Sequence, residues 1–190
     1  MSMKRPRHNM GRADWIGVEA VGVPGQRTFR LLISTSDSAA QLWLEKEQLQ
    51  ALVDAIARML AEIDMERGQS LRPTRDALPN LKPPDFPANP AIDMQVGALG
   101  MRYDAQRDIV ALEAFERVDP DEKMPALREE TPALRCFMTR EQIEKLQHNG
   151  VEVISGGRPR CPLCGAPLSS TGVPHFCPPT NGHQKLTSDE

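Results

Sequence analysis

The segment "EKEQLQALVDAIARMLAEI" constrains the fold of this chain more than any other. Its Leu49, Leu52, Val53, Ile56, Leu60 and Ile63 recur with the 3.6-residue period of a helix, so one face is apolar along several turns. A face of six apolar side chains can be buried only against a flat apolar surface, and the stretches before it supply one. "WIGVEAVGVPGQRTFRLLIST" carries the turn signal Pro24-Gly25 between two apolar runs, and Phe29, Leu31 and Ile33 alternate along the second. A short strand is expected around Gln41–Leu44, after the polar "STSDSAA", and Gly68 is the expected stop of the helix.

The second half follows the same outline. "VGALGMRYDAQRDIVALEAF" reads as a hairpin, with Val96 and Gly100 placed like Val18 and Gly22, and "LRCFM" reads as the next strand. "MTREQIEKL" lies on "LEKEQLQAL", so Glu141, Gln142 and Ile143 fall on Glu47, Gln48 and Leu49. Thr139 and Gln142 have the spacing of a capping box, and Asn149-Gly150 predicts a stop after about ten residues. The expectation is an α+β domain over residues 14–156, an antiparallel sheet built from two β-β-β-α halves, 15–66 and 92–154, with both helices packed on it. Whether the halves share one continuous sheet is not readable from the pattern.

Proline divides the halves. Pro73, Pro79, Pro83, Pro84, Pro87 and Pro90 fall between the two patterned regions, and each removes a backbone donor and disfavours helix before it. Residues 67–91 therefore read as an extended connector, whose "LKPPDFP" could also dock in a proline-recognising groove. "RVDPDEKMPALREETPA" reads as an exposed loop, and residues 1–13, with Lys4, Arg5, Arg7 and Arg12 and no acid, as a disordered basic tail.

With no apolar run long enough for a membrane span or a signal peptide, the expected location is the reducing cytoplasm, where the clustered thiols among four cysteines are metal ligands more readily than disulfides. Cys161 and Cys164 stand two residues apart in "CPLCG", and Cys177 follows twelve residues later in "FCPPTNG". Three thiolates and one imidazole would complete a tetrahedral structural Zn2+ site, expected in residues 157–184 with 185–190 as a tail. Two histidines compete for the fourth position, His175 within the turn of Cys177 and His183 six residues after it. The resulting excess of negative charge calls for backbone amides or Arg158 and Arg160 nearby. A redox pair at "CPLC" would need a following helix, which Gly165, Pro167 and Gly172 oppose. Cys136 sits inside an apolar strand and reads as a buried structural residue. His148 reads as a residue at a helix end, and His8 as isolated.

"VPGQRTF", "LEKEQLQAL", "GGRPRCPLCGAPL" and "HFCPPTNGH" together resemble a bacterial family known as domain of unknown function 3090. The resemblance implies a protein of no assigned activity, found beside a histidine-phosphatase-like and a kinase-like protein, and it implies His175 as the fourth zinc ligand. The chain departs from that pattern in its "VP" before His175 and in a second histidine after Asn181-Gly182, which keeps His183 in play.

A non-enzymatic interaction or adaptor module with a protein partner is the leading expectation. Nucleic-acid binding through Arg158, Arg160, Lys185 and the basic first residues is the alternative, disfavoured by a net charge of −3. An enzyme is the third, with Arg27, Glu45, Arg102 and Asp104 lining a pocket between the halves.

Overall fold

The structure, a computed structural model, describes residues 5–23, 26–68, 85–118 and 131–156. In chain order they form β1 (His8–Arg12), β2 (Trp15–Val21), β3 (Thr28–Ser34), β4 (Ala39–Leu44), α1 (Lys46–Glu66), β5 (Ile92–Asp104), β6 (Ile109–Glu116), β7 (Leu134–Thr139) and α2 (Arg140–Ser155). The mixed α+β architecture is as expected: one seven-stranded sheet, ordered β1-β7-β6-β5-β4-β3-β2, with two helices. The run β-β-β-α occurs twice, as β2-β3-β4-α1 and β5-β6-β7-α2.

The sheet is mixed rather than antiparallel. Hairpins join β2 to β3 and β5 to β6, but β4 pairs in parallel with β5, and β1 in parallel with β7. Helix α1 leaves one end of β4, and a long crossover returns the chain to start β5 alongside it, which is the geometry that parallel pairing requires. That pair joins the two halves into one sheet.

The second difference lies at the N-terminus, where His8–Arg12 form a strand inside the expected tail. The edge of β7 pairs with backbone and is indifferent to side chains; most of those of β1 remain exposed, so its polar sequence gives no strand pattern. Only Ala13 and Asp14 separate β1 from β2, yet these strands stand at opposite ends of the strand order. Three Cα steps reach at most about 11 Å. The sheet must therefore curl until its two edges meet. At the junction the Ala13 N–H donates to Phe137 O at 2.8 Å and the Asp14 N–H to Ser34 O at 2.9 Å. A register shift beside Gly11, whose φ of 71° suits glycine, bends the strand toward this closure.

Inside the curl lie Phe29, Leu31, Ile33, Leu42, Leu44, Leu112, Leu134, Cys136 and Met138, closed over by Leu49, Leu52, Val53 and Ile56 of α1 and by Ile143 and Leu146 of α2. Gly68, at φ 61°, ends α1 as its sequence predicts. The expected stop at Asn149-Gly150 does not occur, and α2 continues to Ser155. That dipeptide serves packing instead. A Cβ on Gly150 would lie 2.4 Å from Cγ2 of Val53, so the glycine lets α2 approach α1, while the Asn149 side chain accepts the Val18 N–H at 2.8 Å.

Candidate functional site

Each helix begins on the same device. The Gln48 side chain accepts the Glu45 N–H at 2.9 Å, and its amide donates to Val96 O and Gly97 O at 3.0 and 3.1 Å. Gln142 accepts the Thr139 N–H at 2.8 Å within the predicted capping box, and donates to Ala13 O and Asp14 O at 2.8 and 3.2 Å. One side chain thus caps its helix and ties it to the strand beyond.

The strand registers carry the same correspondence. Phe29 faces Leu44, just before the N-cap Glu45, and Val110 faces Met138, just before the N-cap Thr139. Phe29 also faces Ala20, and Val110 faces Tyr103. Met101 thus occupies the place of Val18, and Leu99 that of Ile16. The sequence pattern pairs Val18 with Val96 instead, a mismatch arising where the β5–β6 register shifts between Val96 and Ala98.

The two halves differ at this point. Beside β2, α2 presents Asn149 to the Val18 N–H, and Ile16 and Val18 are buried at 2% and 5% exposure. Beside β5, α1 presents Ala55 at the position of Asn149, and alanine has no group to offer. The pairing of β4 with β5 stops at Trp43 and Gln95, because β4 ends and α1 begins. Beyond the carbonyls held by Gln48, the side of β5 turned away from β6 has no strand neighbour among the described residues. A groove of about 410 Å3 opens there, lined by Gln48, Ala51, Leu52, Ala55, Arg58, Met59, Leu99 and Met101. Its walls are mainly apolar. Arg58 stands exposed on the wall, and Arg102 is exposed on the opposite face of β5; no ion pair joins either to another described residue.

Elsewhere several charged side chains hold one another. Arg30 donates to Glu19 and, at 2.7 Å, to Gln41; Gln41 and Trp43 donate to Asp93, and the Arg30 guanidinium lies 5.8 Å from the Trp43 ring centre. Arg135 binds Glu113, Arg7 binds Glu116, and Arg140 binds Asp64 and Glu144. Tyr103 and Arg67 both donate to Asp108 at 2.7 Å, and these bonds hold its carboxyl below the usual range. A wider cavity of about 660 Å3 lies between Trp15, Ser34–Ala39 and Asp85–Pro87, with Phe86 edge-on to Trp15 at 6.2 Å.

Of the residues expected to carry function, Cys161, Cys164, Cys177, His175 and His183 lie outside the described residues, as do Arg158, Arg160, Lys185 and Pro24-Gly25. Among the described residues no cluster of histidine, cysteine, aspartate or glutamate could hold a metal ion. Cys136 is buried as expected, and burial pushes its thiol up to about 12. His148 stands within α2 rather than at its end, 3.4 Å from Glu152. Arg27, Glu45, Arg102 and Asp104 line neither cavity described above. Glu45 is an N-cap near Arg117, and Asp104 accepts the Gln106 and Arg107 amides of the β5–β6 turn. The signal that could have revealed the groove is Ala55 set against Asn149 at equivalent helix positions. No described helix is long and apolar enough to cross a membrane.

No curated protein and no solved structure matches the chain. One family profile does, across residues 8–177, from the first residue of β1 through the two halves to the last cysteine. The chain belongs to that family, described as Protein of unknown function (DUF3090).

Proposed function

We propose that the protein is a non-enzymatic interaction module built from two equivalent β-β-β-α halves, with a structural zinc site in its C-terminal segment. The observation that carries the interaction reading is the side of β5 turned away from β6, which beyond Gln95 has no strand neighbour among the described residues and lies beside an apolar groove. Unpaired strand edges and exposed apolar surface both stick to other chains, and folds that keep them uncovered use them for association. Affinity capture of the full chain from cross-linked cells of its native host tests the reading. The expected result is a stoichiometric protein partner, with the histidine-phosphatase-like and kinase-like proteins suggested by the resemblance as first candidates. Capture of the chain alone sinks it.

The zinc reading rests on the thiolate spacing of Cys161, Cys164 and Cys177. The family match ends at Cys177, so it includes His175 and stops before His183, which favours His175 as the fourth ligand. Four protein ligands leave no open position for water or substrate, so such an ion holds the segment together and performs no chemistry. Elemental analysis of the purified chain is expected to find one zinc per molecule. Cys161→Ser and His175→Ala should lose it, and His183→Ala should keep it.

A further inference from the structure

We propose that the open side of β5 accepts an extended segment of a partner protein as an added strand, with apolar side chains toward α1 and acidic ones toward Arg102. This rests on the interaction-module reading and names the kind of partner it takes.

Three observations specify that occupant. The first is backbone. The Val18 N–H points away from β3, toward Asn149, and Met101 holds the equivalent register, so the backbone groups of Leu99 and Met101 point away from β6. At the equivalent helix position α1 offers Ala55, and β4 ends after Leu44. Donors and acceptors that no described residue uses are spaced as a strand's are, and a strand is what satisfies them.

The second is shape. An added strand would send every other side chain to the inner face, into the groove of about 410 Å3 between Leu52, Ala55 and Met59 on α1 and Leu99 and Met101 on β5. Leu99 and Met101 already rest partly buried against the core, so apolar groups entering there extend it.

The third is charge. The intervening side chains would lie on the outer face beside Arg102, whose row continues across the sheet through Ala111 and Phe137 to Arg12. Arg58 stands on the groove wall. Arg102, which no ion pair joins to another described residue, selects carboxylates on that outer face, whether glutamate or aspartate. A second copy of this chain fits less well. Edge-to-edge pairing of two β5 strands would bring two Arg102 residues toward each other, and Asp104 already accepts two turn amides.

Fluorescence anisotropy of the full chain with a labelled heptapeptide alternating valine or leucine with glutamate tests the proposal. Saturable binding is expected, stronger by about tenfold or more than for the same peptide with lysine in place of glutamate. Met101→Pro removes an N–H that no described strand uses and is expected to keep the native circular dichroism. It should weaken the glutamate peptide by about tenfold or more, the scale of one buried backbone group left without its bond. Arg102→Glu should reverse the preference toward the lysine peptide. Equal binding of the two peptides to the natural chain, or unchanged binding to a folded Met101→Pro, overturns the proposal. So does sedimentation as a dimer that Met101→Pro converts to monomer, since a second copy then fills the edge. A partner captured from cells that still binds Met101→Pro rejects the strand site alone, whereas capture of no partner rejects the module reading.

Discussion

Gly150 shows how one residue can carry opposite signals in sequence and in structure. After Asn149 it reads as a helix stop, yet it lies inside α2 with Val53 of α1 pressed against it. Alanine usually stabilises a helix interior over glycine by about 1 kcal/mol. Here the added methyl would meet a stiff, buried Val53 side chain, so Gly150→Ala is expected to destabilise by roughly 1–3 kcal/mol in urea unfolding. Adding Val53→Ala should reduce the further cost of the glycine replacement. Cys136 supplies a pH signature. Its thiol is raised to about 12 by burial, so stability linked to it is complete below the unfolded value of about 8.5 and is lost as pH climbs toward 12. Replacing it with alanine should flatten that alkaline loss, measured as denaturation midpoint against pH. The buried role of Cys136 was legible in "LRCFM" because its neighbours are apolar; the role of Gly150 was not, because its contact lies on another helix.

At the scale of elements, the two capping glutamines do the work of joints. Gln142 holds α2 to the carbonyls of Ala13 and Asp14, where the two edges of the sheet meet. Gln142→Ala is expected to cost about 1–3 kcal/mol in chemical denaturation, since it removes a helix cap and leaves strand carbonyls unpaired. Strand β1 is the other joint. Deleting residues 1–12 uncovers the backbone edge of β7, and the shortened chain should melt lower and associate more at raised concentration, read by calorimetry and light scattering. The hairpins, β4 and α1 were legible because alternation and 3.6-residue periodicity report one-sided burial. β1 was not, because a strand recruited through its backbone needs no side-chain pattern.

For the whole molecule, the curl of the sheet and the difference between its halves decide where another chain could sit. Closure at Ala13–Asp14 brings the two end strands together, and α2 with Asn149 covers the adjoining side of β2. The corresponding side of β5 has no strand neighbour among the described residues, although both helices start from the same glutamine device. Ala55→Asn places an amide where Asn149 stands in the other half, and it is expected to compete with an added strand for the Met101 N–H. Weaker anisotropy binding of the glutamate heptapeptide, with unchanged circular dichroism, is the outcome that follows.

By itself the sequence determined the α+β class, the order of strands and helices in each half, the capping of α2 and the burial of Cys136. All of these depend on local periodicity or on a few neighbouring residues. Tertiary structure decided the parallel joint between β4 and β5 and its end at Trp43 and Gln95, the recruitment of β1 and the continuation of α2 through Gly150. Each of those is a contact between segments distant in the chain, where the free energy depends on which backbone groups and apolar faces are left to pair once the local elements have formed.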